Sequence, residues 1–381
     1  MKRANHFLPF LFLALILAGN TLACALSAAT DEPAESETNS LQSSSDAAQR
    51  SDEAPARPRL AINSWFYHLG FEPDAQIVTQ MVMSQYDLVV LEPIVTDREN
   101  RTFPIDDLVA ELHDAPHPKI VLAYIDIGQA EDWRTYWEAE WGIGNPAWIV
   151  AADPDGWEGN YPVAFWHEEW QEIWLDPDDG YLQQLLDAGF DGIYLDWVEA
   201  YSDDNVRAAA EAADVDPEDE MIAWISRLAA YGRAHNPDFI VIGQNAPELV
   251  ENDAYVALVD GIAQEQTWFD GAADNNPPGD CPLPATEADV DTDAYYARLS
   301  AACQFLYDEY PESTLHVSSE WYLTYLTLAR DKGLTVLTVD YAVEPANVRQ
   351  AHIAARQNGF VPFAGERALD TFQPPVLLGS P

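Results

Sequence analysis

Eight short apolar runs recur along the chain from residue 59 onward, and they constrain the fold more than any other feature. They are LAINSWFY (60–67), DLVVLEP (87–93), KIVLAYIDIG (119–128), GIYLDW (192–197), DFIVIGQNA (238–246), GIAQEQ (261–266), LTVLTVDYA (334–342) and FVPFAG (360–365). Their β-branched and aromatic residues do not alternate with polar ones, which suits parallel strands buried on both faces. Helix-like stretches lie between them. YLQQLLDAG ends in Gly, EDEMIAWISRLAAYGRAHNP ends before Pro, and YYARLSAACQFLYDEYP and WYLTYLTLARDKG carry apolar residues at helical spacing. Eight βα units in about 320 residues are the arithmetic of a (β/α)8 TIM barrel. A doubly wound open sheet is the alternative. TLHVSSEW (314–321) breaks the pattern: it is an extra strand, or one of the eight runs is misassigned.

The first residues stand outside this pattern. Lys2 and Arg3 precede an apolar run from Phe7 to Ala18, the layout of a secretory signal over 1–23. Cys24 follows small residues, as in a bacterial lipobox, with Thr21 where Leu is usual. Lipidation at Cys24 is the expectation; ordinary secretion and an uncleaved anchor are the alternatives. Residues 24–57 are mostly Ser, Ala, Glu, Asp and Pro, and read as a disordered tether. The barrel domain is placed at 58–381. Of the remaining cysteines, Cys281 and Cys303 are able to pair in an exported protein; two free thiols are the alternative. No metal-ligand spacing and no Gly-rich phosphate loop is visible, so neither metal nor cofactor is expected.

The net charge is −47 with only three lysines, Lys2, Lys119 and Lys332. Phosphate binding needs a basic surface, so nucleic acid is excluded as a partner. The acids are spread along the whole chain, which favours adaptation to high salt. Attraction of a cationic substrate is compatible with it.

Several apolar runs end in an acid: Glu92, Asp126, Asp196, Glu265 and Asp340, with Gln244 and Asn245 closing another. Barrel active sites form at the C-terminal strand ends. Asp191 precedes its strand and is expected to be structural at the barrel's other end. Glu199 lies past the strand and is expected to be solvated, with contact to a ligand as the alternative. Asp196 is the strongest catalytic candidate. Two carboxylates flanking a scissile bond are the machinery of glycoside hydrolysis. Eight of the 13 tryptophans fall between the third and fourth runs, and most are expected to pack on one another in a cap. Trp197 and Trp268, beside the candidate acids, are better placed for a ligand, since aromatic faces stack on sugars and attract cations.

VLAYIDIGQAEDWRTYW, GFDGIYLDWVEAY, IGQNAPEL, DGIAQEQTWF and VLTVDYA…GFVPFAGERALD resemble, in order and spacing, glycoside hydrolase family 114, the endo-α-1,4-polygalactosaminidases and related extracellular barrel proteins. The resemblance covers roughly 60–370. It implies a TIM barrel with Asp196 as nucleophile and Glu265 as acid/base. It also implies substrate contacts from Tyr124, Asp126, Asn245, Asp340 and Tyr341. Gln129 stands where the family often has Glu, and the loops near 141–165 and 271–290 look longer than usual.

The expectation is therefore an exported, monomeric endo-glycosidase acting on a galactosamine-containing exopolysaccharide, a polycation when deacetylated, and touching the membrane only through an N-terminal lipid. A retaining outcome and a raised pKa at Glu265 are expected with it. A non-catalytic carbohydrate-binding lipoprotein and a hydrolase of another glycan are the alternatives.

Overall fold

The computed structural model describes residues 60–70, 73–154, 156–271, 279–311 and 313–376. The expected signal at 1–23, Cys24, the tether at 24–57 and part of the 271–290 loop lie outside the described residues. The chain divides into Met1–Ala54 and Pro55–Pro381, and every described residue belongs to the second unit.

Each of the eight apolar runs contains a strand. They are β1 Trp65–His68, β2 Leu88–Leu91, β3 Ile120–Asp126, β4 Gly192–Asp196, β5 Ile240–Gln244, β6 Gly261–Glu265, β7 Thr335–Asp340 and β8 Val361–Ala364. All pair in parallel, in sequence order, as one 8-stranded sheet. The sheet curls until β1 meets β8, where the Trp65 indole N–H donates to the Val361 carbonyl at 3.0 Å. This is a TIM barrel, and the open-sheet alternative falls. The irregular stretch at 314–321 holds no strand: a 3₁₀ turn, Thr314–His316, leads into a helix capped by Ser318.

Helices cover the sheet between strands, and their ends follow local chemistry. The longest, Pro217–His235, begins with the Asp216 side chain accepting from Glu218 N and Asp219 N, has Pro in its first turn, and ends with Arg233 and His235. Acids at the start and bases at the end both suit the helix dipole. One expected helix is divided: 295–311 becomes Asp293–Tyr296 and Ala301–Glu309, because Ser300 caps the second by accepting from Cys303 N. Cys281, in a two-residue ribbon with Asp270, is disulfide-bonded to Cys303 in that second helix.

Three aspartates just before even-numbered strands tie down the barrel's lower rim. Asp87 accepts from Asn63 N and Ser64 N at 2.6 and 3.1 Å. Asp191 accepts from Val121 N at 2.8 Å, and Asp260 from Val241 N at 2.9 Å. Each carboxylate thus satisfies an amide at or just before the start of the preceding strand. Asp191, also bonded to His113 at 2.9 Å, has the structural place expected of it.

Strand register decides which side chains enter the barrel. Tyr124 pairs with Tyr194, and Asp126 with Asp196. Gln244 pairs with Ala263, and Glu265 with Val339. Alternation along each strand puts Tyr67, Tyr124, Tyr194, Asp196, Gln244, Glu265 and Tyr341 on the inner side. Asp340, one residue from Val339 and Tyr341, falls on the outer side.

Candidate active site

Asp196 and Glu265 end β4 and β6, on either side of β5. Immediately after each of these three strands comes a residue with positive φ: Trp197 (54°), Asn245 (58°) and Gln266 (53°). Left-handed backbone is costly for Trp and Gln and recurs at functional sites. Here it opens three consecutive loops directly beyond Asp196, Gln244 and Glu265.

Neutral donors surround both acids. Asp196 Oδ1 accepts from Trp197 N at 2.8 Å and from Gln244 Nε2 at 2.6 Å, and Oδ2 accepts from the Tyr124 hydroxyl. Glu265 Oε2 accepts from Gln244 Nε2 and Asn245 Nδ2, each at 3.2 Å, and Oε1 accepts from the Tyr341 hydroxyl. The Gln244 amide therefore bridges the pair from one nitrogen. Its orientation is set from behind: Oε1 accepts from Tyr194 Oη at 2.5 Å and Tyr67 Oη at 3.2 Å. An ionised carboxylate only accepts, so the nitrogen must face the acids, which leaves the amide oxygen to accept from the two phenols. Burial holds the pKa of both tyrosines well above the usual phenol value, keeping them donors.

Burial, then the neighbouring Glu265, raises Asp196 to about 6 against the pull of Tyr124, Trp197 N and Gln244. A carboxyl taken from water beside a second carboxyl resists ionisation.

The other expected site residues divide. Tyr124, Asn245 and Tyr341 touch the pair directly. Asp126 is 2% exposed, and its Oδ1 accepts from Gly128 N and Gln129 N at 3.0 and 2.8 Å, so it shapes the loop after β3. Asp340 does not line the cleft: it is 0% exposed, and its Oδ1 accepts from Trp268 N at 2.7 Å and Phe269 N at 2.9 Å. It latches the loop after β6 from outside, as its register requires. Trp197 and Trp268 are both half-buried beside the strand ends. Glu92 is engaged by Arg134, whose Nε also donates to Glu131 at 2.6 Å, all three buried. Glu199 is not the solvated acid that was expected, since its Oε2 is buried.

Among the cap tryptophans, Trp148, Trp170 and Trp174 are buried in an edge-and-face cluster that includes Trp141. Trp157 is 43% exposed and lies 6.0 Å from Arg367, whose guanidinium sits 4.6 Å over the Tyr341 ring. Sequence reasoning gave no role to Tyr67, Tyr194 or Gln244. The signal was that all three occupy apolar runs, where polar side chains are unusual, and that Gln244 closes its run as the acids close theirs.

The sequence model of glycoside hydrolase family GH114 matches residues 43–375, starting inside the stretch read as a tether. An uncharacterized protein of Deinococcus radiodurans is 34% identical over 287 residues, 75% of each chain. Another, MJ1477 of Methanocaldococcus jannaschii, is 35% identical over 205 residues, 51% of this chain and 54% of its own. Two solved structures share the fold at 16% identity and a TM-score of 0.50. They are the glycoside hydrolase domain of PelA from Pseudomonas aeruginosa, with 81% of this chain and 97% of that one covered, and Aspergillus fumigatus Ega3 in complex with galactosamine, with 83% and 96% covered.

Proposed function

This chain belongs to glycoside hydrolase family GH114 and is a glycoside hydrolase, and from that premise we propose that it is an exported endo-glycosidase that cleaves α-1,4-linked galactosamine or N-acetylgalactosamine polymers with retention. Glu265 gives its proton to the glycosidic oxygen while an Asp196 carboxylate oxygen attacks the anomeric carbon. The bond to the leaving sugar breaks and a glycosyl ester forms. Glu265 then takes a proton from water, whose oxygen displaces Asp196.

The Gln244 bridge carries this reading. Its legs to Asp196 and Glu265 are 2.6 and 3.2 Å. Laid end to end, they keep the two bridged oxygens within less than the roughly 6.5 Å at which inverting spacings begin, on the retaining side. The galactosamine assignment draws on the Ega3 complex and on the acidity of the chain. Free amines on such a polymer would be attracted to a cleft with two half-buried carboxyls and half-buried tryptophans.

The experiment is proton NMR of the first anomer released from the polymer. An α-configured reducing end supports retention; a β-configured one removes Asp196 from the nucleophile role. Export through the N-terminal segment, with Cys24 lipidated, belongs to the same proposal. Mass spectrometry of the protein from membranes of its host checks it: an unmodified Cys24 or an intact residue 1 would count against it.

A further inference from the structure

Glu199 lies in the 3₁₀ turn Val198–Ser202, three residues past Asp196. Its carboxyl turns inward. Oε1 accepts from Asn245 Nδ2 at 3.2 Å, while Oε2 is buried without a hydrogen-bond partner. The same Asn245 nitrogen donates to Glu265 Oε2, also at 3.2 Å. An amide nitrogen carries two protons, and each is engaged by a different acid. Asn245 cannot turn to favour either one freely. Its Oδ1 accepts from Gln264 Nε2 at 3.1 Å and Glu265 N at 3.2 Å.

We propose that Glu199 is a positioning residue for the hydrolysis: it holds one N–H of Asn245 and keeps the other aimed at Glu265. The inference rests on the hydrolytic reading above. Burial, and next the charge of Asp196, holds the Glu199 pKa well above the usual carboxylate range, with Glu265 adding to it and Asn245 opposing it. Tyr255, Tyr201 and Tyr322 also feel its charge, with Glu248 acting on the same three. None of these groups is a cation that would favour ionisation. When Glu199 ionises, as pH rises through its raised pKa, it adds a negative charge behind the acid pair and draws the amide from Glu265.

The test compares wild type, Glu199→Gln and Glu199→Ala in the full chain. It follows kcat and KM against pH, and titrates the Glu265 carboxyl carbon by ¹³C NMR, assigned by its absence in Glu265→Gln. Gln imitates the neutral acid, so Glu199→Gln should keep kcat near neutrality, with its alkaline limb moved up by about one pH unit or more. Glu199→Ala should fold, hold KM, and lose kcat about tenfold or more across the profile. A Glu199→Ala enzyme with wild-type kcat and profile would overturn the proposal. So would a Glu265 titration identical in wild type and Glu199→Gln. A wild type that cleaves no polymer removes the hydrolytic reading, whereas the carbon titration still decides whether Glu199 and Glu265 are coupled.

Discussion

Gln244 donates to both acids while two phenols hold its oxygen, so Gln244→Leu strips a donor from each carboxylate and leaves Tyr67 and Tyr194 facing an apolar side chain. We expect kcat to fall about 10²-fold, the usual cost of one preorganised donor, with KM changed far less. Steady-state kinetics checks this; an unchanged kcat would mean that the bridge has no part in catalysis. Asp196 must be ionised to attack, and it is raised to about 6. The acid limb of kcat/KM should therefore lie near pH 6. The same shift has a stability consequence of opposite direction. The folded state binds this proton more tightly than the unfolded chain, so stability is lost as pH rises from about 4 through 6. Asp196→Asn should stabilise the protein by about 3 kcal/mol more at pH 8 than at pH 3.5. Denaturant melts at the two pH values read the difference, and equal differences would show that Asp196 is not raised.

Secondary-structure elements were the most legible part of the molecule. All eight runs contain strands, because barrel strands buried on both faces stay apolar throughout. The same property hid the site's details. Without alternation, the inner and outer faces of a strand cannot be told apart, so Asp340 read like Asp196 although its register turns it outward. Strand-end position put Asp196 and Glu265 among five candidate acids, and the family resemblance gave the two their roles. Glu92 also met that criterion, yet its partner Arg134 arrives from a loop 42 residues away, which no local pattern reveals. Arg134→Ala would leave the buried Glu92 and Glu131 without their cation. It should cost about 3–5 kcal/mol, measured by denaturant unfolding; a loss well under 1 kcal/mol would mean that water reaches the pair. The cap behaves as its composition suggested, since tryptophans spaced along it bury one another.

Across the whole molecule, a formal charge of −47 on 381 residues means strong self-repulsion at low ionic strength. Lys119, one of three lysines, is buried and donates to the carbonyls of Val82 and Ser84 at 3.2 and 3.1 Å, so it does little to relieve the surface. The melting temperature should therefore rise between about 0.1 and 1 M NaCl, over which the screening length falls from about 10 to 3 Å. A flat response would show that the acids are spaced widely enough not to interact. Among the described residues no helix is long and apolar enough to cross a membrane. The account as a whole depends on Asp196 and Glu265 acting together on a galactosamine polymer. The most direct measurement incubates the protein with partly deacetylated poly-α-1,4-galactosamine at low and high salt and looks for released oligomers by mass spectrometry. Oligomers from wild type, with none from folded Asp196→Asn or Glu265→Gln, are the predicted result. A folded wild type that releases nothing at either salt, or variants that cleave as wild type does, would contradict it.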